Sequence, residues 1–175
     1  MNLDIQPLHL KNEIVQLVPL QESDFDRLFE VASNPSVWEQ HPNPNRYQKE
    51  VFRNYFEGAI LSQGAFIVLD SQTKKVVGCS RFYDFNADMN SIKIGYTFIG
   101  INFWGKDFNK NMKSLMINHA FEKLENVIFD IGANNLRSQI AISKIGAIKI
   151  GEQIIEYYGE EPKLNFIYQV SKFYI

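Results

Sequence analysis

One stretch of the sequence, from Ile92 to Ser138, constrains the fold most strongly because its hydrophobic period changes three times. Apolar and polar side chains alternate from Ile92 to Ile99, which is typical of a half-buried strand. Apolar side chains then recur at helical spacing from about Asn109 to Leu124. The apolar run Val127-Ile128-Phe129 predicts a second strand, and a second helix is expected to begin at Asn135. A strand–helix–strand connection of this length most simply forms a right-handed parallel crossover.

The loop between this strand and its helix is the first candidate for a binding site. Its centre reads Phe103-Trp104-Gly105-Lys106-Asp107-Phe108-Asn109 and is rich in Gly, Asp, Asn and Lys. A strand-to-helix loop exposes backbone N–H groups at the positive end of the helix dipole, where a phosphate can bind. The residues alone leave two interpretations open, an anion-binding loop or an ordinary turn between a strand and a helix.

Composition limits the class of protein. The 175 residues are expected to form one domain, 1–175, which is long enough to bury a core. A net charge of −2 gives no sign of a nucleic-acid or membrane-surface partner, and the apolar runs are too short to span a bilayer. Met1-Asn2-Leu3-Asp4 lacks the pattern of a signal peptide, so a cytoplasmic location is expected.

Cysteine and histidine usage predicts a protein without a metal. Cys79 is the single cysteine, which excludes an intrachain disulfide and a cysteine cluster for zinc. It is expected to be a small buried strand residue. His9, His41 and His119 show no metal-ligand spacing, so no metal site is expected.

The rest of the chain alternates between the same two periods. Predicted strands lie at 14–18, 65–69, 76–83, 92–99, 127–131, 147–157 and 164–173, and predicted helices at 25–32, 51–60, 109–124 and 135–145. Ser23 or Asp24 is expected to cap the first helix, and Gly146 to end the last one. The predicted class is α+β, a mixed sheet of about seven strands with helices on both faces, in the order β-α-α-β-β-β-α-β-α-β-β.

Several short motifs accompany this order of elements. They are Val18-Pro19-Leu20 with Asp24, Ile94-Gly95-Tyr96-Thr97-Phe98, Trp104-Gly105-Lys106, Met116-Ile117-Asn118-His119-Ala120-Phe121, Asn135-Leu136-Arg137-Ser138 and Lys144-Ile145-Gly146-Ala147. Together they resemble the GCN5-related N-acetyltransferases (GNAT family), in particular the branch named after ribosomal-protein N-terminal acetyltransferases. The resemblance covers nearly the whole chain. It implies a mostly antiparallel sheet and transfer of acetyl from acetyl-CoA to a primary amine, of a protein N-terminus, a peptide or a small molecule, by direct attack in a ternary complex.

The resemblance also implies where acetyl-CoA binds. The third strand of the meander and the strand after the crossover separate, and the pantetheine arm lies between them. By matching position, the residues that bind acetyl-CoA are Tyr96, Thr97, Phe98 and Ile99 through the strand backbone, Trp104, Gly105, Lys106, Asp107, Phe108, Asn109 and Lys110 around the pyrophosphate, and Asn135 and Ser138 near the pantetheine and the sulfur.

The phosphate loop departs from the family pattern, (Gln or Arg)-x-x-Gly-x-(Gly or Ala). Trp104, Asp107 and Asn109 occupy its three specified positions. Asp and Asn can adopt the left-handed conformation, so the loop is expected to keep its shape. The Asp107 carboxylate would repel a pyrophosphate about 4 Å away by about 1 kcal/mol, an effect that Lys106 and Lys110 offset. This departure favours an alternative, a non-catalytic domain that binds CoA or a protein partner.

Catalytic roles follow from the resemblance as well. Many family members have a proton-donating Tyr seven residues after the position of Asn135, where this chain has Ile142. Protonation of the leaving thiolate is therefore assigned to Ser138. The alternative for Ser138 is a helix hydroxyl that bonds a backbone carbonyl. Glu39 and His41 lie in an irregular stretch that borders the acceptor site in this family, and they are the candidate bases.

The more common role for such a residue is that of an exposed loop histidine, and this is the alternative for His41. Tyr83 and Tyr96 are alternative lining residues, more often core aromatics. For oligomeric state, the sequence allows a monomer or a homodimer. The aromatic-rich last strand, with Phe166, Tyr168, Phe173 and Tyr174, could pair with a second chain or simply fill the sheet core.

Overall fold

A computed structural model describes residues 3–174 of the chain. Seven strands and four α-helices follow one another in the predicted order. The strands are β1 (Val15–Pro19), β2 (Ala65–Asp70), β3 (Val76–Asn86), β4 (Ser91–Ile99), β5 (Asn126–Gly132), β6 (Ile148–Ile155) and β7 (Lys163–Ser171). The helices are α1 (Phe25–Ala32), α2 (Lys49–Leu61), α3 (Phe108–Phe121) and α4 (Leu136–Ser143).

The strands form one sheet in the order β1-β2-β3-β4-β5-β7-β6. The β4–β5 pair is parallel, and the other five pairs are antiparallel. The predicted mixed, mostly antiparallel sheet is therefore confirmed. β7 lies between β5 and β6, so it has no free edge on which to pair with a second chain. Its aromatic residues Phe166 and Tyr168 pack in the sheet.

Each face of the sheet carries two helices and its own core. In β2, Ala65 and Ile67 pack with α1 and α2, whereas Phe66 and Val68 pack in the cluster formed with α3 and α4. This separation follows from the strand geometry, in which successive side chains point to opposite faces. The predicted α+β class with helices on both faces is confirmed, and the space between β4 and β5 lies between the two layers of helices.

Local details differ from the predicted ones for physical reasons. Asp24 precedes α1, but its side chain makes no cap bond, because its carboxylate accepts hydrogen bonds from the Gln21 N–H and from Arg27. Asn109 has helical conformation, because α3 begins one residue before it. Gly146 follows α4 with φ +85°, as expected for a helix end.

The last strand ends at Ser171 and is followed by a short 3-10 turn, Lys172–Tyr174. Phe173 is exposed, and Ile175 lies outside the described residues. None of the helices built from the described residues is long and apolar enough to cross a membrane. A single domain over residues 1–175 stays a prediction.

Candidate functional site

The two parallel strands separate after a short pairing. β4 and β5 pair only at Ser91 with Asn126, Ile92 with Val127 and Lys93 with Ile128. Beyond that point β4 continues for six residues, Ile94–Ile99, and no pairing with β5 continues within the part of the chain that the structure describes. A strand edge without a partner presents N–H and C=O groups that need one. The gap between β4 and β5 is therefore a place where an extended ligand can pair with backbone.

A β-bulge changes the course of β4 beside this gap. Cys79 of β3 lies opposite Phe98, and Arg81 lies opposite Gly95. From 79 to 81 β3 advances two residues, whereas from 98 to 95 β4 advances three, so β4 carries one extra residue. The extra residue is accommodated at Tyr96, which has φ +51°. Such a conformation costs free energy for an aromatic residue and persists only when its surroundings fix it.

Neighbouring side chains hold the bulge in place. The hydroxyl of Tyr55 on α2 donates a hydrogen bond to the Tyr96 carbonyl. The buried Arg81 guanidinium lies 3.3 Å from the centroid of the Tyr96 ring and donates to the Gly58 carbonyl. Tyr157 from the β6–β7 loop meets the same ring edge-on, at 5.6 Å between centroids. The strained backbone of Tyr96 is thus fixed from α2, β3 and the β6–β7 loop together.

The loop after β4 carries two residues in the left-handed conformation. Gly105 has φ +72° and Asp107 has φ +61°. Asp107 occupies the N-cap position of α3 but makes no side-chain cap bond, and its side chain is exposed. The loop thus takes its sharp turn with aspartate at the position where glycine was expected.

Backbone donors cluster at this turn. Six consecutive backbone N–H groups at this turn donate no hydrogen bond to any described residue, those of Gly105, Lys106, Asp107, Phe108, Asn109 and Lys110. The N–H of Trp104 differs, because it donates to the Ile101 carbonyl at 3.2 Å inside the loop. The free donors lie at the N-terminal end of α3, where the helix dipole adds positive potential.

A contact that the sequence did not reveal connects the loop after β4 with α4. The Arg137 guanidinium lies 4.0 Å from the centroid of the Trp104 ring. The Trp104 indole N–H donates to the Ile99 carbonyl at 2.7 Å. The buried Nη2 of Arg137 has no hydrogen-bond partner among residues 3–174. Burial lowers the pKa of Arg137, and the opposing effect of the nearby Glu39 offsets only part of this shift. A stacked cation with an unused donor therefore lies next to the phosphate-loop candidate.

The turn after β5 is organised by a side chain. Asn135 is buried and accepts a hydrogen bond from the Ser138 N–H through Oδ1, at 3.1 Å. Since this oxygen caps α4, the Asn135 amide NH₂ is the group left to donate to a ligand. The half-buried Ser138 hydroxyl makes no hydrogen bond to the described residues, whereas Ser143 on the same helix donates to the Gln139 carbonyl at 2.9 Å. The alternative role proposed for Ser138, bonding a backbone carbonyl, is thus not observed.

The two candidate bases lie near the start of α4. Gln40, between them, accepts a hydrogen bond from the Arg137 N–H at 2.9 Å. His41 is half-buried and packs edge-on against Trp38, with 5.0 Å between ring centroids. Burial, Arg46 and Arg137 lower the pKa of His41 to about 3, so its imidazole is neutral at physiological pH. Glu39 is exposed.

Three other residues considered from the sequence lie in surroundings that favour a structural role. Cys79 is buried, and burial raises the pKa of its thiol to about 11, so the thiol stays protonated. The Tyr83 hydroxyl donates to Asp130 at 3.2 Å, and burial raises the pKa of Tyr83. Ile142, where a proton donor was sought, is a core residue.

Lys113 is a second residue that the sequence analysis missed. It lies on α3, is buried, and donates to the Thr97 hydroxyl at 2.6 Å. Its ammonium lies 5.3 Å from the centroid of the Phe129 ring, so it contacts both β4 and β5. Burial lowers the pKa of Lys113 to about 7. The available signal was its spacing, four residues before Ile117 and seven before Ala120, which places it on the buried face of α3.

A groove of about 620 Å³ lies next to Tyr157, on the side of the bulge. Its lining residues are Asn43, Asn45, Val51, Asn54, Glu156, Tyr157, Gly159, Glu160 and Glu161. Glu160 forms a buried, two-point ion pair with Arg46, at 2.7 and 2.5 Å. Glu156 and Glu161 are exposed and form no ion pair with the described residues. The groove therefore has a net negative lining.

Comparisons with known proteins agree with this geometry. Residues 15–148 match the family model described as the acetyltransferase (GNAT) domain. No curated protein gives a significant sequence match. Among solved structures, a provisionally named acetyltransferase is 25% identical with a TM-score of 0.80, covering 96% of this chain and 88% of its own.

Two more distant structures show the same fold. A provisionally named ribosomal-protein-serine acetyltransferase from Vibrio cholerae is 18% identical with a TM-score of 0.74, covering 93% of this chain and 96% of its own. A spermidine N-acetyltransferase from Vibrio cholerae, in complex with CoA and spermine, is 15% identical with a TM-score of 0.68, covering 93% and 98%.

Proposed function

Because the chain belongs to the acetyltransferase (GNAT) domain family, we propose that it transfers acetyl from acetyl-CoA to a primary amine. One observation carries this proposal. The unpaired edge of β4 leads directly into a loop whose backbone N–H groups, from Gly105 to Lys110, have no partner among the described residues. An extended amide-containing chain that ends in a pyrophosphate matches both features.

The cofactor's contacts follow from this arrangement. The amides of the pantetheine arm pair with backbone of β4 from Tyr96 to Ile99. The pyrophosphate lies on the N–H groups from Gly105 to Lys110, and Arg137 supplies a further donor through its unused Nη2. The NH₂ group of Asn135 donates to a carbonyl of the pantetheine arm.

The transfer itself needs few protein groups. The neutral amine attacks the thioester carbon, the carbonyl oxygen gains negative charge, and the C–S bond then breaks. Backbone N–H groups near Phe98 stabilise the oxyanion. The Ser138 hydroxyl gives its proton to the leaving thiolate, and the proton released by the amine reaches the Ser138 oxygen through solvent and restores the hydroxyl. Glu39 and His41 are the proposed acceptors of the amine's proton, and Glu39 is preferred because a pKa of about 3 makes the His41 imidazole a weak base.

The acceptor is proposed to be a cationic amine that enters through the groove beside Tyr157. Glu156 and Glu161 supply the negative charge that would attract it, since Arg46 neutralises Glu160. A polyamine or a protein N-terminus satisfies this requirement. The similar spermidine N-acetyltransferase binds spermine, and a ribosomal-protein-serine acetyltransferase is also among the similar structures, so both acceptor classes belong in the assay.

The first experiment measures acetyl-CoA binding by calorimetry with a matched pair of glycine variants. A Cβ would meet nothing within 4 Å at either Gly105 or Gly151, but only Gly105 has a positive φ. Gly105→Ala therefore strains the loop by about 1–2 kcal/mol, and we expect at least about fivefold weaker binding. Gly151→Ala should bind as the wild type does. Failure of the folded wild type to bind acetyl-CoA would overturn the proposal.

The second experiment measures CoA release with polyamines, peptides and small amines as acceptors. Turnover with primary amines, and none with the matching alcohols, is the expected result. Binding of acetyl-CoA without turnover on any amine would instead identify a non-catalytic CoA-binding domain.

A further inference from the structure

A second cluster of polar side chains lies outside the gap, where the N-terminal segment crosses the end of α3. His9, His119 and Glu122 each offer one ligand atom, and these atoms lie within 4.8 Å of one another. His119 and Glu122 are three residues apart on the helix end, whereas His9 is distant in sequence. This separation explains why local spacing predicted no metal site.

The hydrogen bonding of His119 determines which ring nitrogen is free. Nε2 lies 2.7 Å from the Asp4 carbonyl oxygen, which can only accept, so Nε2 carries the proton. Nδ1 is buried and has no hydrogen-bond partner among the described residues. In the neutral imidazole, Nδ1 therefore presents a lone pair, and a carbonyl on the other nitrogen is the usual support of a metal-binding histidine.

The lone pair faces a carboxylate. Nδ1 of His119 lies 3.6 Å from Oε2 of Glu122, and the His9 ring meets the His119 ring edge-on at 5.5 Å between centroids. Two electron-rich atoms at this distance repel unless a proton or a cation lies between them. A proton would make a buried imidazolium, and a metal ion would use the second imidazole of His9 as well.

We propose that His9, His119 and Glu122 bind a divalent transition-metal ion of the zinc class. Two imidazoles and one carboxylate suit zinc, and a water molecule completes the tetrahedron. Ligand atoms of a tetrahedral zinc site lie about 3.3 Å apart, so the distances within the cluster must shorten by up to about 1.5 Å. His9 and Glu122 are exposed and have the rotamer freedom to do so. The ion would fasten the N-terminal segment to the end of α3.

The test is calorimetric titration of the metal-free full chain with Zn²⁺, with thermal melting as a second readout. We expect one site of about micromolar affinity, and a rise in Tm of about 5–10 °C when free Zn²⁺ is a hundredfold above Kd. His9→Asn and Glu122→Gln change exposed side chains, and each should weaken binding at least about 10-fold. Glu125→Gln, an exposed carboxylate beyond the same helix end, should bind as the wild type does.

Binding of Co²⁺ gives a check on geometry, because a four-coordinate site produces strong visible absorption that a six-coordinate surface ion lacks. The proposal is overturned if the wild type binds Zn²⁺ no tighter than His9→Asn and Glu122→Gln. It is equally overturned if Glu125→Gln loses binding to the same extent.

Discussion

The two strands that border the gap end in different ways. β4 ends in a loop whose shape comes from the backbone, with left-handed residues at Gly105 and Asp107 and free N–H groups after them. β5 ends in a short turn whose shape comes from one side chain, because Asn135 caps α4 through Oδ1. In the proposed enzyme, the loop after β4 binds the pyrophosphate through backbone N–H groups. The turn after β5 positions individual side chains near the pantetheine arm and the thioester.

This difference predicts two kinds of sensitivity to mutation. After β4, substitutions should act through backbone conformation and charge, and side-chain identity should matter little. After β5, the loss of a single hydroxyl or amide should matter, and conservative replacements should separate structural from chemical effects. Lys113 belongs to neither end, because it contacts Thr97 of β4 and Phe129 of β5 where the strands separate.

The largest effect on stability is expected at this shared residue. Burial lowers the pKa of Lys113 from 10.5 to about 7, so the folded state disfavours the charged amine. Lys113→Met should therefore stabilise the protein below pH 7 by on the order of 2–5 kcal/mol. The gain should shrink as pH rises from 7 to 10.5, because the folded amine is then neutral and the free energy needed to release its proton on folding falls with each pH unit. Urea unfolding of the wild type and Lys113→Met at pH 6 and pH 10 measures the gain in free energy of unfolding at each pH.

Lys123→Met, just beyond the end of α3, is the control, because Lys123 is exposed and its replacement should change stability little at either pH. Equal effects of Lys113→Met at pH 6 and pH 10 would show that the Lys113 amine bears no cost of burial.

The largest effect on turnover is expected at Ser138. If its hydroxyl protonates the thiolate, Ser138→Ala should lower kcat about 100-fold with little change in KM for acetyl-CoA. Ser143→Ala removes the other hydroxyl of α4, which is already bonded to the Gln139 carbonyl, and should leave kcat within about twofold. A kcat for Ser138→Ala equal to that of Ser143→Ala would remove Ser138 from the mechanism.

Most of the fold could be predicted because two signals agree along the chain, the spacing of apolar residues and the residues that begin or end helices and strands. Alternation between Ile92 and Ile99 predicted β4, and Gly146 predicted the end of α4. β3 extends beyond its predicted end, through Asn86, because a register shift with Asp84 at φ +47° lets pairing with β4 continue past Tyr83. Local propensity contains no signal for such a shift, which depends on the partner strand.

The site could be predicted only where it is local. The loop from Trp104 to Lys110 is contiguous, so its sequence alone was enough to raise the hypothesis of an anion site beside that of an ordinary turn. Contacts between distant residues were missed, since the stacking of Arg137 on Trp104 and the meeting of His9 with His119 exist only after folding. The roles proposed for Glu39, His41 and Ser138 stay predictions.

Asn135 offers a way to separate the two functions of one side chain. Asn135→Ala removes the cap, which should cost about 1 kcal/mol of stability, and removes the NH₂ donor, which should weaken acetyl-CoA binding about 5–10-fold. Asn135→Asp keeps an oxygen for the cap but has no NH₂ group. We therefore expect it to recover the stability but not the affinity, as measured by melting and calorimetry. Full recovery of affinity in Asn135→Asp would mean that the amide donates nothing to the cofactor.

The smallest effect is expected from the charge in the loop after β4. Asp107→Gly keeps the left-handed conformation and removes a carboxylate, so acetyl-CoA should bind about fivefold more tightly, which corresponds to about 1 kcal/mol. Asp107→Asn removes the charge at nearly constant shape and should show a similar gain. The gain in both variants should fall as salt is added, because Asp107 is exposed and its repulsion is screened. If the affinities equal that of the wild type at low salt, the carboxylate points away from the cofactor, and the shape of the loop alone determines binding after β4.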